Sequence, residues 1–142
     1  MSGKRTKERG ITLIELMVVI VVVAILGSLA VSSYRSYLLR ANRTEATTAL
    51  LRVQVAQEKF FLQNNRYADD DELASSPPGG LGIPRNTPST NYGIVIDDYT
   101  ATTYTAVATA ANGQLQDVTA CRVLSINQDG VRAPSADSGC WR

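Results

Sequence analysis

Residues 11–31 read ITLIELMVVIVVVAILGSLAV, a run in which the only strongly polar members are Thr12, Glu15 and Ser28 and the sole glycine is Gly27. Wound as an α-helix, the run spans roughly 31 Å, one hydrocarbon thickness. Lys4, Arg5, Lys7 and Arg9 precede it, and the thinner basic set Arg35, Arg40 and Arg43 follows. That asymmetry favours a cytoplasmic N-terminus and an external remainder. A cleaved secretory signal is the competing reading, because Ser28-Leu29-Ala30 has the small-x-small pattern of a cleavage site. The run is long for such a signal and holds a carboxylate near its start, which favours a retained anchor.

Glu15 does not fit a plain anchor. A carboxylate inside an apolar span costs on the order of 2.5–3.5 kcal/mol at the centre and less near an end, and such a residue usually faces a protein partner. It asks for a cation. Were the chain cut after Gly10, the new amine of Ile11 would lie one helical turn away, and a neighbouring chain's amine would serve equally in an assembly. A carboxylate resting in the headgroup layer is the plainer alternative.

The composition narrows the rest. The 142 residues are 44% hydrophobic and 19% charged, enough for one modest folded domain plus an attached segment. Of the 14 basic and 13 acidic residues, four and one lie in the first ten, leaving 10 and 12 in a mildly acidic body. Histidine is absent, which removes imidazole bases, Ser-His-Asp and Cys-His pairs and His-ligated metals. Without a convergent acid-base pair either, the expectation is a protein that is not an enzyme and needs neither metal nor cofactor.

Between Ser28 and Asn64 no strong helix breaker occurs. Ala46, Ala49, Leu50, Val53, Ala56 and Phe60 recur at spacings of three and four, so the anchor helix is expected to continue to Asn64 with one apolar stripe. A helix over 12–64 would be roughly 80 Å long, more than a domain of this size covers, and its first half must be buried by something outside the domain. Leu51, Val55 and Leu62 form a thinner row roughly opposite, readable as a second contact face or as scattered exposed aliphatics. Residues 68–90 are rich in Pro, Gly, Ser, Thr and Asp and predict a long surface loop. Its acidic run Asp69-Asp70-Asp71-Glu72 lacks the spacing and glycine of a calcium loop and reads as solvated.

Beyond the loop, 92–96, 104–109, 121–126 and a segment near Val131 predict short strands, separated by Asn112-Gly113 and by Asn127-Gln128-Asp129-Gly130, in an antiparallel meander. Tyr104, Ala106 and Ala108 share one face and Thr105, Val107 and Thr109 the other, so the pattern leaves the core face of that strand open. Leu124 and Ile126 are expected to point at the helix. The fold class is α+β, one long helix packed on a small antiparallel sheet. Cys121 and Cys140 are read as a disulfide in an exported protein; a metal or redox pair lacks a C-x-x-C spacing or further ligands. Closing that loop contributes roughly 3 kcal/mol in the chain-entropy model.

The segment Arg9-Gly10-Ile11-Thr12-Leu13-Ile14-Glu15-Leu16-Met17-Val18-Val19 resembles the class III leader and mature start of type IV pilins. The resemblance implies removal of residues 1–10 by a prepilin peptidase after Gly10, N-methylation of Ile11, and a role for Glu15 in docking the subunit into a filament. It also implies a division into the leader, a transmembrane and assembly half over 11–33, and a globular domain over 34–142. Two positions depart from the family pattern: Ile11 stands where Phe is usual, and Ser32 where proline often kinks the helix. Farther on, Ala49-Leu50-Leu51, Gln57-Glu58-Lys59-Phe60-Phe61, Asn65-Arg66-Tyr67, Tyr104-Thr105-Ala106-Val107-Ala108-Thr109 and the terminal Cys140-Trp141 look most like PilE-type pilins. Their cysteine-bounded C-terminal loop often forms a variable surface.

The resemblance thus implies a pilus subunit, most like the minor pilins. It would be held in the inner membrane with its C-terminus in the periplasm and then carried into an extracellular filament, with other pilin subunits and the inner-membrane assembly machinery as partners. A major pilin or a secretion-system pseudopilin shares the same start, and the terminal cysteines favour a pilin. A DNA-uptake pilin is the reading from another class, with Arg122, Arg132 and Arg142 touching phosphates and Trp141 stacking on a base. So few arginines on a net acidic mature chain favour solvated surface over nucleic-acid contact.

Overall fold

The computed structural model describes residues 10–141. Helix α1 runs Leu13–Asn64, and the strands are β1 Tyr92–Asp97, β2 Thr105–Ala110, β3 Val123–Asn127 and β4 Arg132–Ala133. The chain divides after Ser36 into two compact units.

In the first unit α1 is an apolar helix with no apolar side chain covered. Leu13, Val23 and Val31 are more than half exposed, like nearly all their neighbours. By length and composition this helix is able to cross a membrane.

The second unit holds the core. From α1 it takes Ala46, Leu50, Val53 and Phe60, with Ala49 and Ala56 half-buried beside them, which is the stripe anticipated from the spacing. Gln57 is buried too, because its amide satisfies both backbone groups of Ala68 in the following loop: Oε1 accepts the Ala68 N–H at 2.8 Å and Nε2 donates to the Ala68 carbonyl at 2.9 Å. The helix stops where Asn65 turns left-handed at φ 55° and donates its N–H back to the Phe61 carbonyl, a single-bond C-terminal cap that asparagine tolerates.

The sheet is antiparallel throughout, in the order β1-β2-β3-β4. Pairing sets Ile94 opposite Ala108 and Ala108 opposite Leu124, and Ile96, Ala106 and Ile126 form the next row. All six are buried, as are Tyr104 and Ala110, so the alanine face of β2 is the core face and its Thr and Val face is outward. Alanines in the middle strand suit a sheet whose large core residues come from the flanking strands. Gly130, at φ 74°, closes the β3–β4 turn with its N–H on the Asn127 carbonyl.

Two expectations are corrected. The third strand does not begin at 121: Asn112-Gly113 opens a 3-10 helix, and a second such turn over Thr119–Cys121 delays β3 to Val123. The acidic run is not simply solvated. Asp70 accepts the Ile96 N–H and pairs with Arg85, while Glu72 is bidentate with Arg66 at 2.5 and 2.8 Å. The Asp70–Ile96 bond ties the long loop to the edge of the sheet, the Asp70–Arg85 pair braces the loop internally, and the Glu72–Arg66 pair ties it to the segment that follows α1.

Candidate functional site

The residues assigned to processing and assembly lie at the head of α1. Gly10 precedes the helix, and a Cβ added there would meet nothing within 4 Å among the described residues. The described residues therefore make no demand for glycine at this position. Thr12 is the N-cap: its Oγ1 accepts the Glu15 N–H at 3.3 Å. The pattern Thr-x-x-Glu before an apolar run is the sequence signature of such a cap, and it was legible in the chain although the reading of Glu15 as a membrane anomaly passed over it. Glu15 has one structural task here, since a carboxylate in the first turn also complements the partial positive charge of the helix start.

At the other end Cys121 and Cys140 are joined in a disulfide with Cα atoms 5.3 Å apart. Tyr92 in β1 reaches the same place and donates its hydroxyl to the Cys121 carbonyl at 2.8 Å. Arg132 lies over the ring of Trp141, 5.1 Å from its centroid, and the indole N–H points to the Ala133 carbonyl at 3.4 Å. Arg122 turns its Nε to the Asp117 carbonyl at 2.9 Å. Arg142 lies outside the described residues, as do the basic residues of the leader. The structure thus brings Arg132 and Trp141 together but engages them with each other, and it directs Arg122 elsewhere.

A polar cluster that sequence reasoning missed joins α1 to the segment between β2 and β3. The Arg43 guanidinium is bidentate on Asp117, whose side chain is 1% exposed. Gln114, also buried, donates to Asp117 at 2.7 Å and to the Leu39 carbonyl at 3.2 Å, and accepts from Asn42 at 3.0 Å. Burial pushes the Asp117 carboxyl up, but Arg43, the Val118 N–H and Gln114 outweigh it and hold the group below the usual carboxylate range. No local signal marks a pair 74 residues apart in sequence.

Along the outer face of α1, Leu51 and Val55 line a groove of about 520 Å³ whose facing wall contains Pro77, Leu81 and Ile83. Of the thinner apolar row, these two have a local setting, while Leu62 is left 83% exposed.

Comparison with known proteins adds to this geometry. A family model described as type IV minor pilin ComP, DNA uptake sequence receptor, matches residues 32–125, and the prokaryotic N-terminal methylation motif matches 5–31. The type II secretion system core protein G of Pectobacterium carotovorum subsp. carotovorum is 30% identical, over 99% of this chain and 87% of that protein. The type IV major pilin protein PilA of Myxococcus xanthus (strain DK1622) is 36% identical over 52% of this chain and 34% of its own length. A solved type IV pilin from Shewanella oneidensis has the same fold, with a TM-score of 0.52 over 73% of this chain and 98% of that one at 23% identity.

Proposed function

The chain belongs to the type IV pilin family, and from that premise we propose that it is a pilus subunit, a minor pilin, that polymerises through its N-terminal helix into a surface filament. The observation that carries this reading is the apolar helix of the first unit, whose aliphatic side chains are all exposed. Such a surface is stable in lipid or against other helices and unstable in water. The family implies assembly with other pilin subunits, and the methylation motif implies processing by a prepilin peptidase. We assign the cut to the bond after Gly10, methylation to the amine of Ile11, the membrane and assembly segment to 11–33 and the filament-exposed domain to 34–142. Before assembly the anchor holds the precursor in the inner membrane with its C-terminus in the periplasm. Cleavage then frees Ile11, and helix packing transfers apolar surface from lipid to the filament core.

Quantitative peptide mass spectrometry of filaments sheared from the native bacterium tests this. A peptide beginning at methylated Ile11, at a small fraction of the pilin total, is the expected result. Dominance would make the chain a major pilin. Processed protein confined to the membrane would overturn the filament reading in favour of a pseudopilin; the Pectobacterium relative is named as a type II secretion system core protein.

A second reading, a filament subunit that binds DNA, draws support from the description of the matching family model. Its weakness lies in the side chains: Arg43, Arg66 and Arg85 are ion-paired, and Arg132 already covers Trp141. A salt-dependent mobility shift of DNA by the purified chain, lost in the Arg122→Ala/Arg132→Ala double variant, is what this reading requires.

A further inference from the structure

The groove on the outer face of α1 is apolar inside and cationic at its rim. Leu51 and Val55 form one side, and Leu81 and Ile83 the other. Gly80 lets the loop wall fold tightly, since a Cβ there would collide with the Glu72 carbonyl oxygen and with Ser75. At about 520 Å³ the space falls in the range of small-molecule pockets, roughly 300–1,000 Å³. It is roughly three times the ~150 Å³ cavity that holds the six carbons of benzene, so about eighteen carbons fit. Along the helical wall, Arg52 to Gln63 spans roughly 16 Å at the α-helical rise. An acyl chain fills half of a bilayer's hydrocarbon thickness, roughly 15 Å. A single such chain matches the groove in both length and volume.

The charge at the rim specifies the head of that chain. Arg52 and Lys59 line the groove two helical turns apart, both exposed, and neither joins an ion pair among the described residues. No carboxylate lines the groove among the described residues. An anion is therefore the complement, and the planar fork of an arginine suits a carboxylate bidentately. The lining is also small for a protein partner, a dozen residues against about 20–30 a side in a stable interface. We propose that the groove binds a long-chain fatty acid, its carboxylate paired with Arg52 and its acyl chain laid between Val55 and Leu81 toward Gln63. Bound there, the chain covers Leu51 and Val55, which the folded domain leaves 39% and 70% exposed. The site stands whether or not the protein enters a filament.

The test places the full-length chain in nanodiscs of phosphatidylcholine and titrates in palmitic acid carrying a diazirine on its chain, with irradiation and peptide mass spectrometry to map the adducts. Saturable adducts on peptides from 48–63 or 77–83, displaced by unlabelled palmitate, are the expected result. Their yield at a subsaturating concentration should fall about tenfold in Arg52→Glu, which removes a charge-assisted pair. Val55→Trp, which fills the groove and leaves both cations in place, should abolish them. Arg52 and Val55 are exposed, and retention of the Cys121–Cys140 disulfide reports that each variant still folds. Adducts confined to 11–31 would mean that the probe reaches only the apolar helix through the bilayer, and would overturn the proposal. Groove adducts that fail to saturate, that survive both substitutions, or that lysophosphatidylglycerol displaces and palmitate does not, overturn it as well.

Discussion

Asp70 Oδ1 accepts the backbone N–H of Ile96 at 2.8 Å. Ile96 lies in β1, the edge strand of the sheet, and that bond belongs to a series. The Tyr92 N–H donates to Thr87 Oγ1 at 3.2 Å and the Ile94 N–H to the Arg85 carbonyl at 2.7 Å. Every second N–H of the edge is therefore occupied by the loop that precedes it. An uncovered edge would template pairing with another chain. Replacing Asp70 by Ala frees the Ile96 N–H and removes the partner of Arg85. The expected cost is about 1–3 kcal/mol, read as a lowered unfolding midpoint of the full chain in detergent. An unchanged midpoint would show that water replaces the carboxylate at no cost.

The buried Arg43–Asp117 pair predicts a pH dependence with a definite sign. The Asp117 carboxyl lies below its ordinary value in the folded chain, so its contribution is fully present above about pH 4 and is lost as pH falls through the folded pKa. Asp70 and Glu72 shift the same way, but both are more exposed than Asp117, and solvent screens their contributions. Asp117→Asn leaves Arg43 without its counter-ion, at a cost of about 3 kcal/mol at neutral pH. It should also flatten the acid limb of the stability curve. Chemical denaturation at pH 7 and pH 3 measures both, and a variant as acid-sensitive as the parent would assign the limb to other carboxylates.

How far the sequence disclosed this molecule follows from the range of each interaction. The stripe from Ala46 to Phe60 and the alternation in β3 are local periodicities, so they were readable. So was the helix end at Asn64-Asn65, where the residue type itself favours a left-handed turn. The core face of β2 was not readable, because Tyr, Ala, Val and Thr alternate with no contrast in polarity. It was decided by the register of two neighbouring strands. Arg43 with Asp117, and Asp70 with Ile96, depend on long loops bringing distant residues together, and nothing in either neighbourhood announces the partner. At the head of the helix the opposite holds: Gly10, Ile11 and Glu15 stand out in the sequence while the fold makes little use of them.

That last contrast makes Gly10 a clean probe. Since a Cβ at Gly10 meets nothing within 4 Å among the described residues, Gly10→Val should leave folding and membrane insertion unchanged. We expect it to block removal of residues 1–10, because a branched side chain does not enter a peptidase site shaped for glycine. Immunoblotting for full-length precursor, with the disulfide as the folding control, separates the two effects. Normal processing of the variant would move the cleavage assignment away from Gly10.

Two tyrosines offer a paired test in which the same chemical change has opposite expected signs. Tyr92 and Tyr104 are both buried. The Tyr92 hydroxyl donates to the Cys121 carbonyl at 2.8 Å, whereas the Tyr104 hydroxyl has no partner among the described residues. Its ring packs edge-on to Tyr67 with centroids 4.8 Å apart, and burial, with Glu58 and Tyr67 nearby, pushes its hydroxyl far above the ordinary tyrosine range. Tyr92→Phe leaves the Cys121 carbonyl without its donor, and should cost about 1–2 kcal/mol. Tyr104→Phe keeps the aromatic packing while deleting a desolvated polar atom, so it should be neutral or stabilising by up to about 1 kcal/mol. Thermal unfolding of the two variants beside the parent decides it. If Tyr104→Phe destabilises as much as Tyr92→Phe, the Tyr104 hydroxyl has a partner after all, and the Glu58–Tyr67 hydrogen bond beside it is where to look.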